Sequence, residues 1–174
     1  MSLHFAALKA RPNYAGEKKV ALILGAILLL GLIAFQFVMP KDTMLILRGI
    51  AAGHAPNGQL DDASAKQYAS RSGYAGEVLD VAGGTAEQVR ITLERVRNDS
   101  RVRALYGFSG GAFALVNVWT QLKPEERSRI NRLVVVGAPG ITEATFPGAT
   151  EVVIQPDPPE GHMEAPRALL KSTR

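Results

Sequence analysis

The chain has 174 residues, 47% of them apolar and 21% charged, with a formal charge of +4, which is room for about one domain with a core of its own. The absence of cysteine excludes disulfides, thiolate metal ligands and cysteine nucleophiles. The only histidines, His4, His54 and His162, lack metal-ligand spacing, so no metal and no cofactor is expected.

The charge is unevenly placed. Residues 1–19 hold Lys9, Arg11, Lys18 and Lys19 against Glu17, whereas the charges from Lys41 onward nearly balance. The basic character therefore belongs to the leading tail. No basic, aromatic-interleaved stripe follows it, which argues against a nucleic-acid partner.

After the tail comes "VALILGAILLLGLIAFQFVM", residues 20–39, with no charge and Gln36 as its only strongly polar side chain. A helix of this length spans the roughly 30 Å hydrocarbon core of a bilayer. A signal peptide has a shorter apolar region of about 7–15 residues and a small-residue cleavage site, and this run ends in Phe37, Val38, Met39 and Pro40 instead. The expectation is one uncleaved transmembrane helix with the bilayer as its partner. The leading cations place the N-terminus in the cytoplasm and residues 41–174 on the other, periplasmic or extracellular, side.

From Thr43 on, short apolar runs alternate with helical stretches. "TMLILRG" (43–49) reads as a buried strand, and "DDASAKQYASRSG" (61–73) as a helix opened by an aspartate cap. "GEVLDVAGG" (76–84) is a second strand and "TAEQVRITLERVRNDS" (85–100) a helix with Val89, Leu93 and Val96 at helical spacing. "VRALYGF" (102–108), "RLVVVGAPG" (132–140) and "TEVVIQP" (150–156) are three further strands. Helices at 110–122 and 161–172 complete the pattern. Such alternation predicts an α/β fold, a five-stranded mostly parallel sheet with helices on both faces, formed by residues 41–174.

The stretch "ALYGFSGGAFAL" places Gly107-Phe108-Ser109-Gly110-Gly111 between the third strand and its helix. A serine on a sharp strand-to-helix turn takes a strained backbone, and its neighbours must be small for strand and helix to approach. The turn exposes the hydroxyl and aims amide N–H groups at the same point. The competing reading is an ordinary glycine turn with Ser109 as a helix cap.

"LYGFSGGAF" resembles the nucleophile elbow of the α/β-hydrolase family. The resemblance covers about residues 43–172 in element order and implies a minimal, lidless version of that fold. It implies Ser109 as nucleophile, followed in chain order by an acid and a histidine. His162 is the only histidine after Ser109, and Asp157 precedes it by five residues, just past the fifth strand. Glu143 is the next candidate acid. Asp80 lies near a strand end but before the serine, out of the family's order. The implied oxyanion hole uses the N–H of Gly110 and one from Gly49 or Ile50. His54, in the loop after the first strand, reads as an exposed loop residue.

These residues lead to the expectation of a membrane-anchored serine hydrolase acting on an acyl ester or thioester near the membrane. The alternative is a non-catalytic, membrane-tethered α/β binding or assembly module that keeps the turn as architecture. A flavin or nucleotide binder with the same strand order is a third reading, but "VLDVAGGTAEQ" lacks both a dinucleotide fingerprint and a phosphate-loop lysine.

Overall fold

The computed structural model describes residues 21–30, 41–49, 58–79 and 84–173. The chain divides into two compact units, Met1–Pro40 and Lys41–Arg174. Within the first, residues 21–30 are helical, and Leu22, Ile23, Leu24 and Ile27 are exposed. Ten helical residues cover about half the thickness of a bilayer core. Among the described residues no helix is long and apolar enough to cross a membrane. The rest of the predicted span at 20–39 lies outside the described residues.

The second unit is an α/β domain. Its strands are β1 (Thr43–Leu47), β2 (Ala75–Leu79), β3 (Val102–Phe108), β4 (Arg132–Val136) and β5 (Val152–Gln155). Its helices are α1 (Gly58–Arg71), α2 (Gly84–Asn98), α3 (Gly110–Gln121), the short α4 (Pro124–Arg127) and α5 (Ala165–Ser172). Three-residue 3₁₀ turns form at Glu143–Thr145 and His162–Glu164. The strands make one sheet in the order β2-β1-β3-β4-β5, and every pairing is parallel.

Alternation along the strands divides the core into two layers. Leu45, Leu47, Leu105, Leu133 and Val135 pack on Leu93 and Val96 of α2 and on Leu115, Val118 and Trp119 of α3. Met44, Ile46, Tyr106, Phe108, Val134 and Val136 meet Tyr68 and Ala69 of α1 and Leu169 of α5 on the opposite face. Both faces are covered, which is why β1 from Met44 and β4 from Leu133 are apolar at every position rather than at every second one. Each fully buried Leu, Ile or Val contributes about 1.5–3 kcal/mol.

Apart from the short α4 and the 3₁₀ turn at Glu143–Thr145, which the sequence pattern does not signal, the differences from the sequence expectation are at element ends. Helix α1 begins at Gly58, so the aspartates that open "DDASAKQYASRSG" lie inside it and not at its cap; Asp62 forms a two-pronged ion pair with Arg48. The first, second and fourth strands stop at Leu47, Leu79 and Val136, short of the glycines that follow. The last helix starts only at Ala165, after a 3₁₀ turn carrying His162.

Strand order and register together decide what meets at the carboxyl edge. Leu47 pairs with Gly107, Phe108 with Val136, and Val136 with Gln155. One or two residues further on, Gly49, Ser109, Gly137 and the loop after β5 are therefore neighbours. Chain direction reverses between β1 and β3, since the first crossover leads to one side and the next returns to the other. Open parallel sheets bind ligands at such a switch point.

Candidate active site

Ser109 is the only non-glycine residue with positive φ among the described residues, at φ 52° and ψ −120°. An L-residue held there carries roughly 1–3 kcal/mol of strain and persists only where its surroundings enforce it. The surroundings do. A Cβ on Gly107 would lie 2.6 Å from Ala112 Cα, and one on Gly111 would lie 2.6 Å from Leu47 C and 2.7 Å from Arg48 O. Strand β3, helix α3 and the end of β1 close around the turn at distances only glycine permits. Ser109 N–H donates to Val136 O at 2.9 Å, extending the β3–β4 ladder into the turn.

With its N–H so engaged and no side-chain capping bond, Ser109 is not a conventional helix cap. Gly110 and Gly111 open α3, where backbone N–H groups have no carbonyl a turn earlier to bond. Gly49 approaches from β1, and a Cβ there would sit 3.0 Å from Ser109 Cβ and 3.5 Å from its Oγ. Of the candidate oxyanion donors, Gly49 and Gly110 thus flank Ser109, while Ile50 lies outside the described residues, as do His54 and Asp80.

The loop after β5 brings Asp157 and His162 together, with Nδ1 of the ring 2.8 Å from Oδ1 of the carboxylate. A carboxylate only accepts, so the ring donates from Nδ1, which in a neutral imidazole leaves the lone pair on Nε2. The loop is closed by Gly161 N–H donating to Pro158 O at 3.0 Å, which lets two residues five apart face each other. The imidazole stacks on Phe108, centroids 4.9 Å apart and planes 22° apart. Phe108 immediately precedes Ser109, so the pair is seated beside the turn.

Beneath the pair lies Gly137, at φ 60°, where a Cβ would fall 2.8 Å from His162 Cε1 and 2.9 Å from Asp157 Oδ1. No hydrogen bond joins Ser109 Oγ to His162 among the described residues. Catalytic hydrogen bonds are often long before substrate binds. Glu143 is exposed on its own 3₁₀ turn and makes no bond to His162. Both members of the Asp157–His162 pair are over a third exposed, so the site opens to solvent.

A hollow of about 530 Å³ between α2 and α3, lined by Val89, Leu93, Asn117 and Gln121 among others, includes none of Ser109, Asp157 or His162. Convergent chemistry, not size, marks the carboxyl edge as the candidate site. The close approach at Gly137 and the stacking role of Phe108 are not marked in the sequence. Without the fold, the glycine in "VVVGAPG" reads as the end of a strand.

No protein-family model matches the chain, and no curated protein matches it significantly.

Proposed function

We propose that residues 41–174 form a serine hydrolase of the α/β-hydrolase type, tethered to a membrane by residues 20–39 with the N-terminus in the cytoplasm. The observation that carries this reading is Ser109 held at φ 52° between two glycines that admit no side chain, beside a paired histidine and aspartate. An ordinary turn has no need of that strain at a serine. The strand order, with the turn at the β1–β3 switch point, supports this reading.

In this mechanism Ser109 Oγ attacks the carbonyl carbon of an acyl ester while His162 Nε2 takes its proton. Asp157 holds the ring by Nδ1 and stabilises the imidazolium. The N–H groups of Gly110 and Gly49 bind the negative charge on the former carbonyl oxygen. The tetrahedral adduct expels the alcohol, which leaves with the proton from His162. Water, deprotonated by the same ring, then attacks the acyl-serine and releases the acid.

A non-catalytic binding module is the second reading, favoured by the lack of a Ser109–His162 hydrogen bond. A fluorophosphonate, which bonds to activated serines, separates the two on the full chain in detergent micelles. Labelling of the wild type and not of Ser109→Ala is the expected result. A folded wild type that stays unlabelled would overturn the hydrolase reading.

A further inference from the structure

Helix α2 carries a buried amide that the mechanism above does not use. Gln88 is 3% exposed, on the same helix as the core residues Val89, Leu93 and Val96. Its Nε2 donates to Arg48 O at 3.0 Å, while its Oε1 is buried without a hydrogen-bond partner among the described residues. An apolar side chain of the same length would fill this space and leave no orphaned oxygen. What the amide adds is the bond to Arg48. Thr92 Oγ1 donates to Gln88 O at 2.6 Å, one turn further along α2.

Arg48 O is also approached from the other helix on this face, since a Cβ on Gly111 would lie 2.7 Å from it. The carbonyl is thereby fixed between Gln88 of α2 and the first turn of α3. In a trans peptide C=O and N–H point in opposite directions, and no cis bond occurs here. Fixing Arg48 O therefore fixes Gly49 N–H on the far side of the same plane. Gly49 is the residue whose Cβ would sit 3.0 Å from Ser109 Cβ and 3.5 Å from Ser109 Oγ.

We infer that Gln88 is a positioning residue for the oxyanion hole: by holding the Arg48 carbonyl it aims the Gly49 N–H at the charge that develops on the Ser109 adduct. The inference rests on the hydrolase reading above and selects Gly49 over Ile50 as the second donor. Gln88 touches no reacting atom itself. Its effect belongs to the transition state, because the hydrogen bond it aims strengthens only as the oxyanion forms.

The test uses the full chain in detergent micelles, with p-nitrophenyl butyrate turnover and the rate of fluorophosphonate labelling as readouts. Gln88→Met should lower kcat and the labelling rate about 10–100-fold, with KM within about twofold. Thr92→Val disturbs the same helical turn but leaves the bond to Arg48, and should keep kcat within about twofold of wild type. In Gln88→Glu the side chain can donate to Arg48 O only while protonated. Its activity relative to wild type should fall as pH rises.

A folded Gln88→Met with wild-type kcat overturns the inference. So does a Thr92→Val as impaired as Gln88→Met, or a Gln88→Glu ratio that stays flat with pH. Should Gln88→Met fail to fold, the pH ratio decides alone. A wild type with neither turnover nor labelling overturns the hydrolase reading and this inference together, so the control separates the two failures.

Discussion

The two halves of the candidate site are built in different ways. The serine turn is made of non-local backbone contacts. Gly107 from β3 and Gly111 from α3 meet their neighbours at separations that exclude a single methyl group, and a Cβ on Gly49, two residues past β1, would sit 3.0 Å from Ser109 Cβ. The acid–base half is local and solvent-facing: Asp157 and His162 share one loop, and the ring lies flat on Phe108. Strain needs a rigid frame to maintain it, so the proposed nucleophile sits where strands and helix converge. A proton-carrying ring needs only a partner and a support, which an exposed loop supplies.

If that contrast is right, damage to the two halves should separate activity from stability. His162→Ala should lower ester turnover by about 10²–10⁴-fold, the usual contribution of a general base. Because the ring is partly exposed, unfolding by urea should shift by only about 1 kcal/mol, mostly the lost stacking on Phe108. A turnover rate within twofold of wild type would break the assignment of His162 as base.

Gly111→Ala should do the reverse and act through the fold. Its methyl would overlap the Leu47 and Arg48 carbonyl groups, so β1 and α3 must separate. A loss of about 3 kcal/mol or more in urea unfolding is expected, at the upper end for overpacking. Gly140→Ala is the comparison, since no atom lies within 4 Å of a Cβ there and its cost comes from its positive φ alone. Equal losses at the two glycines would contradict the close approach at the turn.

The smallest effect lies away from both halves and sharpens the contrast by leaving the site alone. Glu126 accepts from Lys123 N–H at 2.8 Å and from Arg97 at 3.1 Å. The backbone hydrogen bond first, and then the guanidinium, hold its carboxyl below the ordinary value of 4.5. A lowered folded-state pKa contributes stability above pH 4.5 that is lost as pH falls through the folded value. Acid titration followed by circular dichroism should therefore show a shallower loss of stability for Glu126→Gln between about pH 5 and pH 3. Ester turnover at pH 7 should match the wild type. Identical acid profiles would remove Glu126 from the acid response.

How much of this could be read from residues alone follows from the range of each interaction. The strand–helix alternation was legible because period and punctuation are local properties, and all five strands lie within the stretches expected to carry them, apart from the single residue Ala75 at the start of β2. Boundaries were less so. The fourth apolar run, "RLVVVGAPG", leaves the sheet at Val136 because Gly137 turns at φ 60° to pass beneath the Asp157–His162 pair. The expected start of α1 differs because the Asp61-Asp62 pair looks like a cap in sequence, whereas both lie inside the helix and Asp62 is an ion-pair partner of Arg48.

The sequence by itself determined the α/β alternation, the serine enclosed by glycines and the chain order Ser109, Asp157, His162, since each is a matter of residue type and spacing. Only the tertiary structure decided that β1 lies between β2 and β3, and that His162 pairs with Asp157 while Glu143 stands apart. It alone placed Gly49 and Gln88 about one peptide plane beside the serine turn. The reason is physical: hydrogen-bond register and backbone approach act between segments tens of residues apart, and no local pattern records which of them will meet.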